Sequence, residues 1–94
     1  MRNRQPPSAV WTDRGRTAWE RDGRQCVRCE AFLSFKDSRT DRVDPSGSYG
    51  LGNLRTLCRR CYTLRVANVG KGLAAGALRD GIIPPDWRGL VWDD

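Results

Sequence analysis

The sequence predicts a small α+β domain organised around a bound metal ion, and three observations predict it. Ninety-four residues of which 38% are apolar make a small core that a metal staple would help to hold together. The four cysteines fall in two close pairs, Cys26 with Cys29 and Cys58 with Cys61, a grouping that suits one tetrahedral metal site better than two disulfides. The 28 residues between the pairs are enough for a hairpin and a loop.

Residues 1–9 carry Pro6 and Pro7 without apolar periodicity and read as a flexible basic arm ahead of a zinc-binding domain at 10–72. Thr12 is the expected N-cap of a helix that runs to Asp22, is weakened by Gly15 and is stopped by Gly23. Trp11 and Trp19 lie eight residues apart, close to two helical turns, which predicts both as core anchors, with stacking on bases as the alternative. The interval Cys26-Val-Arg-Cys29 lets backbone amides turn around a metal with both sulfurs inward, a knuckle. Phe32–Phe35 and Thr40–Val43, separated by the polar residues 36–39, are expected to pair as a β-hairpin.

The stretch from Asp44 to Gly52 is rich in turn formers. Asn53 is the expected cap of a helical segment bearing Leu54, Leu57 and Leu64. Cys58 and Cys61 fall near the first turn of its main helix, over about Arg59–Ala67 and ending near Gly70, where the dipole favours thiolates. Residues 73–94 are expected to add a short helix and an apolar tail, Ile82 to Trp92, packed on the domain. A docking patch for a protein partner is the alternative use of that tail. Knuckle, hairpin and helix together make a treble-clef-like (ββα-metal) arrangement. Cys26, Cys29, Cys58 and Cys61 are the expected ligands of a structural zinc ion, with an iron–sulfur cluster or disulfides as competing readings; four thiolates leave no open position for a catalytic water.

Seventeen Lys and Arg against eleven Asp and Glu give a net charge of +6, and fifteen of the seventeen are arginine. Fifteen of the basic and seven of the acidic residues precede Gly72, so the excess lies with the cysteines. Arginine is suited to bidentate phosphate contact, and the pattern favours a nucleic-acid partner over an ordinary solvated surface. No run approaches the roughly 18 apolar residues of a membrane helix, and no apolar segment follows the N-terminal charges as in a signal peptide. A cytoplasmic protein with no membrane partner is expected.

The segments Trp19–Cys29, Asp41-Arg-Val-Asp-Pro45 and Asn53–Tyr62 resemble the zinc-containing branch of the HNH endonuclease family, over about residues 17–66. The resemblance rests on Arg21-Asp-Gly23 before the knuckle and on Asn53-Leu-Arg-Thr-Leu-Cys-Arg-Arg-Cys61 after the loop. It implies a unit that inserts into double-stranded DNA, with zinc as scaffold and a divalent ion, magnesium or manganese, at the scissile phosphate. Compact reading frames of this kind occur in phages and mobile elements.

The family's chemistry uses a histidine base after an aspartate on the second strand of the hairpin, an asparagine in the loop, and a histidine or asparagine on the helix. Here the aspartate is Asp41, the asparagine is Asn53, and the other two positions hold Arg42 and Tyr62, in a chain with no histidine. A guanidinium stays protonated at neutral pH and cannot act as the base. The resemblance therefore implies a nucleic-acid-binding protein with a degenerate nuclease centre. The alternative is an active endonuclease with a non-standard site at Asp41, Arg42 and Asn53, helped by Asp44; a zinc-scaffolded protein adaptor is the third reading. Asp41-Arg42 with Gly47-Ser-Tyr49 also resembles a subgroup in which the arginine replaces the histidine, where Arg42 would bind phosphate or stabilise developing charge. Arg42, Arg55, Arg59, Arg60 and Arg65 are the expected nucleic-acid contacts.

Overall fold

The structure, a computed structural model, describes residues 4–93. Among them the chain forms four α-helices, three short 3-10 turns and one two-stranded antiparallel sheet, an α+β composition as the sequence predicts. The chain divides after Cys58 into two units, described in turn.

The first unit opens with α1 (Ser8–Arg21), preceded by Pro7 with an extended ψ of 151°. The helix begins four residues before Thr12, because the Trp11 amide already bonds to the Pro7 carbonyl; Thr12 is inside α1 and does not cap it. Of the expected arm, residues 1–3 lie outside the described residues, while Ser8 and Ala9 are helical. Gly15, Ala18 and Trp19 form the buried stripe of α1, at the i, i+3, i+4 spacing of one helix face. Gly15 is there for clearance. A Cβ on it would stand 2.5 Å from Thr40 Oγ1, so the lower helix propensity of glycine accompanies a close approach to the sheet. Gly23 stops the helix as expected, at φ +74°.

Strand β1 (Ser38–Arg42) pairs antiparallel with β2 (Leu54–Cys58), with Asp41 opposite Arg55 and Thr40 opposite Thr56. This corrects the predicted hairpin. Phe35 lies in a 3-10 turn, Phe35–Asp37, and Phe32 makes an isolated bridge to Gln25. The same register corrects the helical reading of Leu54 and Leu57 and the role of Asn53, which precedes a strand. Leu54 and Leu57 are 2% and 0% exposed, and the main-chain donors of β2 also serve neighbours outside the sheet: the Thr56 amide donates to Asp22 Oδ2 at 2.9 Å. Trp19 packs its ring on Phe35 at 5.8 Å and donates its indole N–H to the Leu33 carbonyl.

The loop between the strands is cross-linked by its own side chains. The Asn53 carboxamide donates to the Asp44 and Ser48 carbonyls and accepts from the Asp44 amide, at 2.7–3.0 Å. Arg21 of α1 donates to the carbonyls of Leu51 and Leu54, and Arg14 to that of Tyr49. Trp11 meets the Tyr49 ring edge-on at 5.6 Å.

The second unit holds α2 (Arg59–Leu64), α3 (Val66–Val69) and α4 (Leu73–Arg79). The predicted start at Arg59 holds, but the helix does not run on to Ala67. Arg65 is extended, φ −68° and ψ 133°, and its backbone bridges Trp92, with the Val66 amide bonded to the Trp92 carbonyl and the Trp92 amide to that of Leu64. Leu64, Ala74, Ala77 and Ile83 form the core of this unit, and Ile82, Trp87 and Trp92 pack half-buried against it. Within this unit the C-terminal helix and apolar tail therefore cover α2. None of the described helices is long and apolar enough to cross a membrane.

Candidate metal centre

The two cysteine pairs are presented by different local devices. Cys26 and Cys29 sit on a loop closed at its base by the Gln25–Phe32 bridge and by the Cys26 amide donating to the Ala31 carbonyl at 2.9 Å. The loop is tied to β2 where the Val27 amide donates to the Thr56 carbonyl, and the Cys29 amide points at Cys26 Sγ, 3.5 Å away. Cys58 ends β2, and Cys61 lies on the first turn of α2. The Trp92 indole donates to the Cys61 carbonyl at 2.8 Å.

All four sulfurs lie within 4.8 Å of one another, and none is in a disulfide. Cys29 Sγ and Cys58 Sγ are 3.7 Å apart, which is the edge of about 3.8 Å of a tetrahedron with metal–sulfur bonds of about 2.3 Å. Cys26 and Cys61 are buried, Cys58 is half-buried and Cys29 is exposed. Desolvation lifts the Cys29 thiol above its usual range, and the Cys26 and Cys58 sulfurs beside it add to the shift, against a smaller lowering from Ala31. Four thiolates this close repel one another unless a cation lies between them. The donor set thus fits a tetrahedral metal ion such as zinc, with every ligand from the chain.

The other residues singled out by the sequence are placed quite differently. Asp41 is 4% exposed, and its Oδ2 accepts from Arg55 Nε at 2.8 Å. Asp44 is exposed and its Oδ1 accepts from the amide and hydroxyl of Ser46, so the two carboxylates occupy different environments. Arg42 lies 4.0 Å over the Tyr49 ring and donates to the Gly47 carbonyl. Asn53 acts as the loop cross-link described above.

Among the expected phosphate-contacting arginines, Arg60 is exposed and Arg59 is half-buried, donating to Asp80 Oδ2 at 2.8 Å. That contact holds the Asp80 carboxyl below its usual range. Arg65 is 3% exposed and the Arg55 side chain 16%, so neither offers a freely solvated guanidinium. Sequence reading missed two relationships, Arg55 with Asp41 and Trp92 with Cys61, whose partners are 14 and 31 residues apart in the chain; it grouped Arg42 with Tyr49 in one motif without the contact between them.

No protein-family model, curated protein or solved structure matches this chain.

Proposed function

We propose that this chain is an HNH-endonuclease-like zinc protein that binds nucleic acid, double-stranded DNA in particular, through a nuclease centre that has lost its base. One observation carries the reading. At Arg42, where the resemblance calls for a histidine base, a guanidinium is stacked on Tyr49 and bonded to Gly47. A fixed, permanently charged group suits contact with a phosphate and cannot accept a proton.

Supporting it, the chain order is strand, cross-linked loop, strand and helix, with Asp41, Asn53 and the second cysteine pair on successive parts. The cysteine-bearing loop followed by that strand and helix is compatible with the treble-clef reading. Zinc is the metal of choice because an all-thiolate tetrahedral shell suits it and needs no redox chemistry. Asp41 is engaged by Arg55, so an active centre would require its carboxylate to be released. The protein-adaptor reading loses its motive, since the apolar tail already covers α2 within its own unit.

Gel retardation of a short duplex tests this reading. Binding is expected at about 50 mM salt, weakening steeply as salt rises; a free duplex at that salt contradicts it.

A further inference from the structure

The second cysteine pair gains a support from a residue 31 places further along the chain. Helix α2 has six residues, Arg59–Leu64, too few to hold a helical conformation in water by their own hydrogen bonds. Its first turn carries Cys61. What lies against that turn therefore decides how firmly the Cys61 sulfur is held.

Trp92 is bonded to this short helix through both its side chain and its backbone. The indole N–H donates to the Cys61 carbonyl at 2.8 Å, the Trp92 amide donates to the Leu64 carbonyl at 3.0 Å, and the Trp92 carbonyl accepts from the Val66 amide at 2.8 Å. In a longer helix the Cys61 carbonyl would take the Arg65 amide, but Arg65 is extended and its amide reaches the Tyr62 carbonyl at 3.4 Å. The two main-chain bonds set the position of Trp92 along α2. That position puts the indole on the peptide of a metal-ligating residue. Ile82 and Trp87 pack half-buried on the same core of Leu64, Ala74, Ala77 and Ile83, so apolar cover is shared among several side chains, whereas the indole bond to Cys61 is made by Trp92.

We propose that Trp92 is a positioning residue of the metal centre: its indole fixes the Cys61 peptide so that the thiolate is presented ready for the metal, and metal is lost more readily without it. The donor meets a backbone carbonyl and not the sulfur, so it acts by orienting the ligand. The inference rests on the four-cysteine metal reading and is independent of nucleic-acid binding.

The test uses the full chain, loaded with zinc or with cobalt(II) as an optical probe. Wild type is compared with Trp92→Phe, which keeps an aromatic ring and removes the N–H, and with Trp87→Phe, which alters the same core. Metal affinity, by competition with a chromophoric chelator, is expected to fall about tenfold for Trp92→Phe and less than about twofold for Trp87→Phe, with zinc transfer to the chelator correspondingly faster. The cobalt spectrum is expected to keep the bands of four thiolates in a tetrahedron in every variant. Coupling is reciprocal, so in wild type, where no variant has to fold, metal binding should slow hydrogen exchange of the Trp92 indole proton by a larger factor than that of the Trp87 indole proton. If the two variants lose affinity alike, if neither loses it, or if metal protects the two indole protons equally, the inference is overturned while the metal site stands. If wild type binds neither ion, the metal reading falls with it.

Discussion

Arg55 donates its Nε–H to Asp41 Oδ2 at 2.8 Å directly across the two-stranded sheet, with 4% of the Asp41 side chain and 16% of the Arg55 side chain exposed. A carboxylate withdrawn from water and matched to a cationic partner has a structural use that its place in the sequence does not reveal. Removing one partner leaves the other charge poorly solvated, which costs about 3 kcal/mol. Asp41→Asn and Arg55→Met are each expected to lose about that much in urea unfolding of the metal-loaded protein. The double variant is expected to lose clearly less than the sum, because neither charge is then stranded. Strict additivity would mean that the pair contributes nothing to the fold.

Gly15 provides a test of the close approach between α1 and β1. Alanine at an exposed helix position would add up to about 1 kcal/mol of helix propensity. Here its Cβ would meet Thr40 Oγ1 at 2.5 Å, so Gly15→Ala is expected to lower stability by about 1–3 kcal/mol. In a Thr40→Ala background the remaining neighbours are Thr40 Cβ and Phe35 Cε1 at 3.6 Å, ordinary contacts. The same substitution is then expected to be neutral or stabilising in thermal melts.

Asn53 is expected to show its worth in stability. Its carboxamide makes three hydrogen bonds that hold the loop between the strands, each contributing about 0.5–1.5 kcal/mol net. Asn53→Ala is expected to cost about 2 kcal/mol in chemical denaturation. Asn53→Asp keeps the acceptor for the Asp44 amide but not the donors to Asp44 and Ser48, and should recover little of the loss. An unchanged midpoint for both would leave the residue with a role in chemistry alone.

The metal-free and metal-loaded proteins are expected to respond to pH in opposite senses. In the metal-free chain the Cys29 thiol is raised from its usual value of 9.0, so above that pH the unfolded state releases its proton first and stability falls as pH rises. Metal binding requires thiolates, so protons compete with the metal and the loaded form weakens as pH falls. Thermal melts across pH, with and without a chelator, check both slopes. Parallel slopes would mean that the four sulfurs do not bind metal as thiolates.

How far the sequence reached depended on how local each signal was. The cysteine pairs with their two-residue gaps, the stop at Gly23, the helix start at Arg59 and the short helix 73–79 are all set by neighbours in the chain. They were legible. The pairing of Thr40 with Thr56 was not, because Phe32–Phe35 is nearer in sequence and equally apolar, and because Leu54, Leu57 and Leu64 also fit helical spacing. What decides it is tertiary: β2 buries Leu54, Thr56 and Leu57, and Asp22 takes the Thr56 amide. Arg55 and Arg65 read as surface charges because nothing nearby in the sequence announces burial. Arg42 stands out in the sequence only through the resemblance, which calls for a histidine there, and its seat on Tyr49 needs the fold.

The central claim, a zinc-organised scaffold that binds DNA and does not cut it, is tested most directly by one agarose-gel assay. Supercoiled plasmid is incubated with zinc-loaded protein in low salt, with magnesium, with manganese and with EDTA, and each sample is run before and after protein removal. The account predicts retarded plasmid before removal and fully supercoiled plasmid after it, with every metal. Nicked plasmid that requires magnesium or manganese and disappears with Asp41→Ala would contradict it, as would plasmid that is never retarded.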